Sequence, residues 1–223
     1  IPCYNEEKII FNTINNIFNF FKKKKYELII IDDGSSDQTR SIARKFDKVI
    51  LNEKRINRGK GYSVREGVLI ANGSLILISD ADLSAPIGEF QKLEKFINKY
   101  EIVIGSRGLK NSQVYNYRYR IILGKIGRVF TRLIVRNIED TQCGFKLFKA
   151  SIAKELFFKQ TLDGFGFDFE ILFLAQKKKY SIREVPINWK VSKSSKVKPM
   201  DYFSTLFELF KVLLNDYKNK YNP

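Results

Sequence analysis

Two short apolar runs each lead straight into an acidic turn: Leu28-Ile29-Ile30-Ile31 into Asp32-Asp33-Gly34, and Leu75-Ile76-Leu77-Ile78 into Asp80-Ala81-Asp82. Runs this short and this apolar read as buried strands. Helical patterns lie between them. Ile9, Ile10, Ile14, Ile17, Phe18 and Phe21 form a stripe within 5–21. Ser36 or Asp37 is placed to cap a helix reaching about Phe46, and Gly61–Ala71 reads as a helix closed by Asn72-Gly73. Val49–Leu51 and Glu101–Gly105 read as further strands, and Pro86 opens a helix containing Phe90, Leu93, Phe96 and Ile97. Strands alternating with helices predict an α/β fold, a mostly parallel sheet with helices on both faces. Such sheets take ligands beyond the carboxyl ends of their strands, where both acidic turns fall.

Composition removes several chemistries. The 223 residues contain no histidine, which excludes Ser-His and Cys-His nucleophile pairs and imidazole-based zinc sites. Cys3 and Cys143 form no CxxC pair, so they read as reduced thiols. The balance of 40 basic and 24 acidic residues gives +16, which predicts an anionic partner. Nucleic acid is one candidate, supported by the basic aromatic tract Tyr115–Arg120. The acidic strand ends argue against it, because they repel a polyanion. No segment has the length and apolarity of a membrane span.

The acidic turns carry the chemistry. Carboxylates at i and i+2 just past a strand, as in Asp80 and Asp82, suit one hard divalent cation and the phosphates it carries. The ion offsets their mutual repulsion and stabilises a departing diphosphate. Near Asp32 and Asp33, one carboxylate is placed to accept from a uracil N–H or a ribose hydroxyl, and Asp37 reads as a helix cap. At Pro2-Cys3-Tyr4-Asn5-Glu6-Glu7, Tyr4 is a candidate to flank a base and Glu6 to bond a nucleoside.

PCYNEE, IIIDDGSSDQT, NRGKGYSVREGV, LISDADLSAP, GSR and DTQCGFKLF occur in that order. Together they resemble family 2 glycosyltransferases of the GT-A fold, over roughly residues 1–190. The likeness is strongest to dolichyl-phosphate β-glucosyltransferases and polyprenyl-phosphate relatives. The resemblance implies that Pro2, Tyr4 and Glu6 line a nucleotide pocket and that Asp32 and Asp33 contact base and ribose. It places Lys60 and Arg65 near the nucleotide's phosphates or base, Asp82 directly on Mg²⁺ or Mn²⁺, and Asp80 on the metal or the ribose. Ser84 stands where related lipid-mannose enzymes often carry a glutamine, so a third ligand is not assigned. Arg107 is expected at the acceptor phosphate. Asp140 lies where other family 2 enzymes keep a base, and the alternative is that it orients basic side chains. Asp168 and Glu170 either position the donor sugar or start a helix. The implied reaction is inverting transfer of a hexose, glucose first, from UDP-glucose or another nucleotide sugar to a polyprenyl or dolichyl phosphate. A glycan or protein hydroxyl is the alternative acceptor.

The second half is strongly basic: Ile102–Ile138 holds no acidic residue. Arg118, Lys125, Arg128, Arg132 and Arg136 share one helical face, beside an apolar stripe of Ile122, Ile126, Val129 and Leu133. That pattern fits a membrane surface. Residues 1–200 are expected to form the catalytic domain and 201–223 an amphipathic C-terminal helix with Tyr202, Phe203, Leu206, Phe207, Phe210 and Leu213 on its apolar side. Lys190–Lys198 is expected to be a loop closing over the donor. The opening Ile1-Pro2 reads as the inside of a strand, with residues, and an anchor among them, expected upstream. The expected location is the cytoplasmic face of a membrane.

Overall fold

The computed structural model describes residues 1–115, 127–128, 130–191 and 199–221. Its strands are β1 (Pro2–Cys3), β2 (Leu28–Asp32), β3 (Val49–Glu53), β4 (Leu75–Ile78), β5 (Ile102–Ser106), β6 (Gln113–Tyr115), β7 (Lys146–Lys149), β8 (Ile182–Pro186) and β9 (Asn188–Lys190). The helices are α1 (Ile10–Phe21), α2 (Thr39–Ala43), α3 (Lys60–Ile70), α4 (Phe90–Glu94), α5 (Ala150–Phe158), α6 (Phe167–Lys177) and α7 (Pro199–Tyr217), with a 3₁₀ turn Ile87–Glu89 before α4.

One ladder runs β1-β2-β3, all parallel. A second runs β4-β7-β5-β8. In it β8 is parallel to β5, but β7 is antiparallel to both β4 and β5. A small parallel pair joins β6 to β9. The predicted parallel, helix-covered sheet is present, and β7 is its antiparallel insertion.

Alternation along the strands divides the interior. Ile102 and Ile104 of β5 and Phe148 of β7 pack with Val64 and Val68 of α3, with α5 and with α6. Val103 and Leu147, the intervening residues, face the opposite way and pack with Ile10, Ile14 and Ile17 of α1 and Phe90 and Leu93 of the α4 segment. Helices therefore cover both faces, and the strands' carboxyl ends stay open to the acidic turns.

Three predicted helices are shorter than the pattern suggested. α1 begins at Ile10 because Asn5 has φ 53 and residues 5–7 bond the 35–39 turn instead. Asn5 N–H donates to Ser35 Oγ at 2.8 Å, and Glu6 N–H to Thr39 Oγ1 at 2.7 Å. α2 ends at Ala43, after which Lys45 and Phe46 bond in the tighter i→i−3 pattern. The segment after Pro86 is a 3₁₀ turn followed by one short helix. Asp37 does act at the start of α2, accepting from Thr39 N–H at 2.9 Å.

α7 buries Leu209 and Val212 in the core with Tyr221 beyond its end. Each such side chain contributes about 1.5–3 kcal/mol of burial. Its opposite face exposes Phe207, Phe210, Leu213, Leu214 and Tyr217. Among the described residues, no helix is long and apolar enough to cross a membrane. Arg118, Lys125, Ile122, Ile126 and Val129 lie outside the described residues, as does most of the predicted 190–198 loop. Of the basic face, Arg132 pairs with Glu139 at 2.5 Å, and Leu133 beside it is exposed.

Candidate active site

The turn after β4 holds Asp80 and Asp82. Asp82 Oδ1 accepts from Ser84 N–H and Oδ2 from Ser84 Oγ, each at 2.9 Å. Ser84 therefore closes the Asp82 turn, forcing Leu83 into the left-handed region at φ 45. A left-handed leucine costs roughly 1 kcal/mol or more and persists only where neighbours fix it. Burial, and then the Asp80 charge, push the Asp82 carboxyl above its ordinary range despite the Ser84 bonds. Lys60, the first residue of α3, reaches across and places Nζ 2.6 Å from Asp80 Oδ1. Burial disfavours the ammonium, but Asp80, with Asp168 and Asp82 behind it, holds its pKa above the usual lysine range.

The turn after β2 is built differently. The Asp33 carboxylate accepts from the backbone N–H groups of Arg58 at 3.0 Å and Gly59 at 2.8 Å. Asp32 Oδ1 accepts from Ser35 N–H at 3.0 Å and Arg40 Nε at 2.6 Å. Its Oδ2 is buried without a partner among the described residues, an acceptor facing no donor. The two acidic turns meet through the 58–60 segment: Asp33 pins Gly59, and the next residue, Lys60, grips Asp80. Gly59 is needed there, with φ 111 and its α-carbon against the Asp163 carbonyl. Pro2 lies in β1 beside Ile31, Tyr4 is partly exposed, and Glu6 begins the approach to α1. Arg65 bonds the Gln160 carbonyl at 3.1 Å and pairs with the Asp163 carboxylate at 3.3 Å. Arg58 also pairs with Asp163, at 3.5 Å, and stacks on Tyr62 with its guanidinium carbon 3.9 Å from the ring centroid.

On the other side, Arg107 follows β5 and Asp140 precedes β7. Arg107 Nε and Nη2 donate to the two Asp140 oxygens at 2.7 and 2.9 Å, and Arg107 N–H adds a third bond at 2.8 Å. The guanidinium also lies 5.3 Å from the Trp189 ring. Burial would raise the Asp140 carboxyl, but Arg107 holds it below the usual carboxylate range. Burial, and then Asp140, push the Cys143 thiol up to about 12, so it stays protonated and inert.

Lys146 and Asp168 form a buried ion pair that the sequence reading missed. Both side chains are at most 4% exposed, and Lys146 Nζ also donates to the Cys143 carbonyl. A lysine is almost never this buried without a partner. The available signal was a charge inside the apolar strand Phe145–Phe148. Glu170 has a structural place, accepting from Thr161 N–H at 2.9 Å and Leu162 N–H at 3.0 Å. Asp163 and Trp189 were also missed, and nothing local in the sequence distinguishes them.

The structure thus brings Lys60, Asp80, Asp82 and Asp168 together, with Asp140, Arg107 and Lys146 adjoining. Known proteins resemble the chain in sequence and in fold. The family model for glycosyl transferase family 2 matches residues 1–157. A dolichyl-phosphate beta-glucosyltransferase of Trichomonas vaginalis is 33% identical, with 95% of this chain and 71% of that protein aligned. The human dolichyl-phosphate beta-glucosyltransferase is 35% identical over 89% of this chain and 68% of its own length. The Saccharomyces cerevisiae protein of the same name is 33% identical over 88% of this chain and 67% of its own length. Among solved structures, Mycobacterium tuberculosis glucosyl-3-phosphoglycerate synthase with UDP superposes with a TM-score of 0.71 at 17% identity, covering 96% of this chain and 77% of that one. Its complex with Mn²⁺, UDP-glucose and phosphoglyceric acid gives 0.72 at 15% identity, with the same coverage. These structures establish the GT-A fold, and the sequence matches establish kinship: the chain belongs to glycosyl transferase family 2.

Proposed function

We propose that this chain transfers glucose from UDP-glucose to the phosphate of a polyprenyl or dolichyl lipid, inverting the anomeric centre. The observation that carries this reading is the state of Asp140. A hydroxyl acceptor needs a general base with a pKa near the working pH. Asp140 has both oxygens engaged by Arg107 and is held below the usual carboxylate range, so it is a poor base. A phosphate monoester needs none, since its second pKa of roughly 6 leaves it largely dianionic at neutral pH. Asp140 instead orients Arg107, whose planar guanidinium suits an incoming phosphate. The relatives' names point to the same acceptor and sugar.

A divalent ion fits the Asp80–Asp82 turn. Among the described residues no cluster of three or more candidate ligands exists. Mg²⁺ and Mn²⁺ suit one or two carboxylates with the remaining positions taken by water and diphosphate. Burial, and then the Asp80 charge, disfavour the ionised Asp82 carboxyl, and a cation held between the two carboxylates would offset the second of these. Structural neighbours were crystallised with Mn²⁺ or Mg²⁺ and UDP. When bound, the ion neutralises charge developing on the leaving diphosphate. Asp80 and Asp82 would hold it, Lys60 would meet the phosphates, and Asp32 Oδ2 offers a nucleoside N–H or O–H its acceptor.

We assign the exposed Phe207, Phe210, Leu214 and Tyr217 face of α7, flanked by Lys211 and Lys218, to contact with the membrane that carries the acceptor. We propose with it a location at the cytoplasmic face of that membrane, with residues 1–200 catalytic and 201–223 docking. Incubation with labelled UDP-glucose, dolichyl phosphate and Mg²⁺ is expected to yield labelled lipid. Transfer to glycan or protein hydroxyls but not to lipid phosphate would reject the acceptor. No lipid product with any UDP- or GDP-sugar would reject the reaction.

A further inference from the structure

The Lys60–Asp80 contact pairs a nucleotide-side cation with a carboxylate assigned to metal. The backbone around Lys60 is fixed on both sides. A side-chain carbon on Gly59 would strike the Asp163 carbonyl, and one on Gly61 would strike the Leu162 and Gly164 carbonyls and the Phe167 Cβ. The Asp80 carboxylate lies close against Gly144, where a side-chain carbon would collide with it. Close contacts therefore flank the Lys60 backbone and the Asp80 carboxylate, and the flexible four-carbon Lys60 stem is the part best able to move. Of the other nearby carboxylates, Asp168 is already engaged by buried Lys146 and Asp82 accepts from Ser84.

Resting on the reading of this site as a metal–nucleotide centre, we infer that Lys60 is an internal cation that fills the Asp80 position until a nucleoside diphosphate draws its ammonium away. An ion arriving alone finds the carboxylate it requires already paired with an ammonium at 2.6 Å, and cation and ammonium repel one another when both crowd onto it. A diphosphate supplies Lys60 with a new anionic partner and frees Asp80 in the same step. Ion and nucleotide are therefore coupled through one side chain, and each raises the affinity for the other by the same factor. This is a role beyond contacting phosphate: Lys60 suppresses metal uptake in the absence of nucleotide.

The test is equilibrium binding of Mn²⁺ to the full chain at neutral pH, followed by the electron paramagnetic resonance signal of free Mn²⁺, with and without saturating UDP. Lys60→Met is expected to bind Mn²⁺ alone at least about tenfold more tightly than the parent and to gain much less from UDP. Lys60→Arg, which keeps the charge, is expected to match the parent without nucleotide. Lys60→Gln substitutes for Lys60→Met if circular dichroism shows that variant unfolded. Unchanged or weaker Mn²⁺ affinity in a folded, uncharged variant, alongside normal uptake with UDP in the parent, overturns the inference alone. Absence of Mn²⁺ binding even with UDP in the parent overturns the metal reading and the inference with it.

Discussion

The turns after β2 and β4 look alike in sequence, an apolar strand ending in paired acids, yet their carboxylates do opposite work. Asp33 spends both oxygens on the N–H groups of Arg58 and Gly59, and Asp32 spends one on Ser35 and Arg40. Asp80 and Asp82 repel one another, and the only cation bonded to them in the described structure is Lys60. The first turn stabilises the fold, and the second costs stability in exchange for chemistry. Identical residue types separate according to what faces them: backbone donors in one case, another carboxylate in the other.

The contrast is sharpest for Asp82→Ala. Among the described residues its hydrogen bonds lie within its own turn, and their loss is set against the removal of a disfavoured charge, so the melting temperature should stay near the parent value. Glucose transfer, measured with labelled donor, should fall by at least about 10²–10³-fold, the scale of losing one group that stabilises transition-state charge. Comparable loss of fold and activity would erase the distinction between the turns. Asp33→Ala should show the reverse priority. It orphans two backbone donors and should destabilise by about 1–3 kcal/mol in urea unfolding. Loss of UDP affinity should follow, since Gly59 no longer anchors Lys60. A smaller effect with the opposite sign is expected for Asp82→Asn. The Asp82 carboxyl is raised by burial and by Asp80, so its ionised form destabilises the fold. Removing that charge should raise the melting temperature at neutral pH without added metal. The gain should begin to shrink as pH falls through the raised Asp82 pKa and be gone below the ordinary aspartate value of about 4, where the carboxyl is neutral in both states. A gain that persists at low pH would point to packing rather than charge.

The legible part of the fold was the part made of local pattern. β2, β4 and β5 and the stripe of α1 were readable because burial on two faces leaves apolar runs and helical spacing leaves periodicity. The acidic turns were readable for the same reason, as interruptions of those runs. The insertion of β7 was not, because its neighbours β4 and β5 are distant in sequence and pairing direction leaves no local trace. The Lys146–Asp168 pair was obscured for that reason, since it joins β7 to α6. Arg107 and Asp140 were both marked as candidates, but their bidentate contact depends on β5 and β7 lying side by side. Asp32 and Asp33 were readable as a pair but not as separate roles, which depend on where the 58–59 backbone passes.

The placement of β7 has a consequence for biogenesis. This late segment lands between two earlier strands, and Gly144 just before it provides the seat against which Asp80 rests. A nascent polypeptide ending before residue 144 would own every acid of the donor turns but lack that seat. Nucleotide recognition is thus expected to mature only after the acceptor-side motif leaves the ribosome, making long-range closure the slow event in acquiring competence.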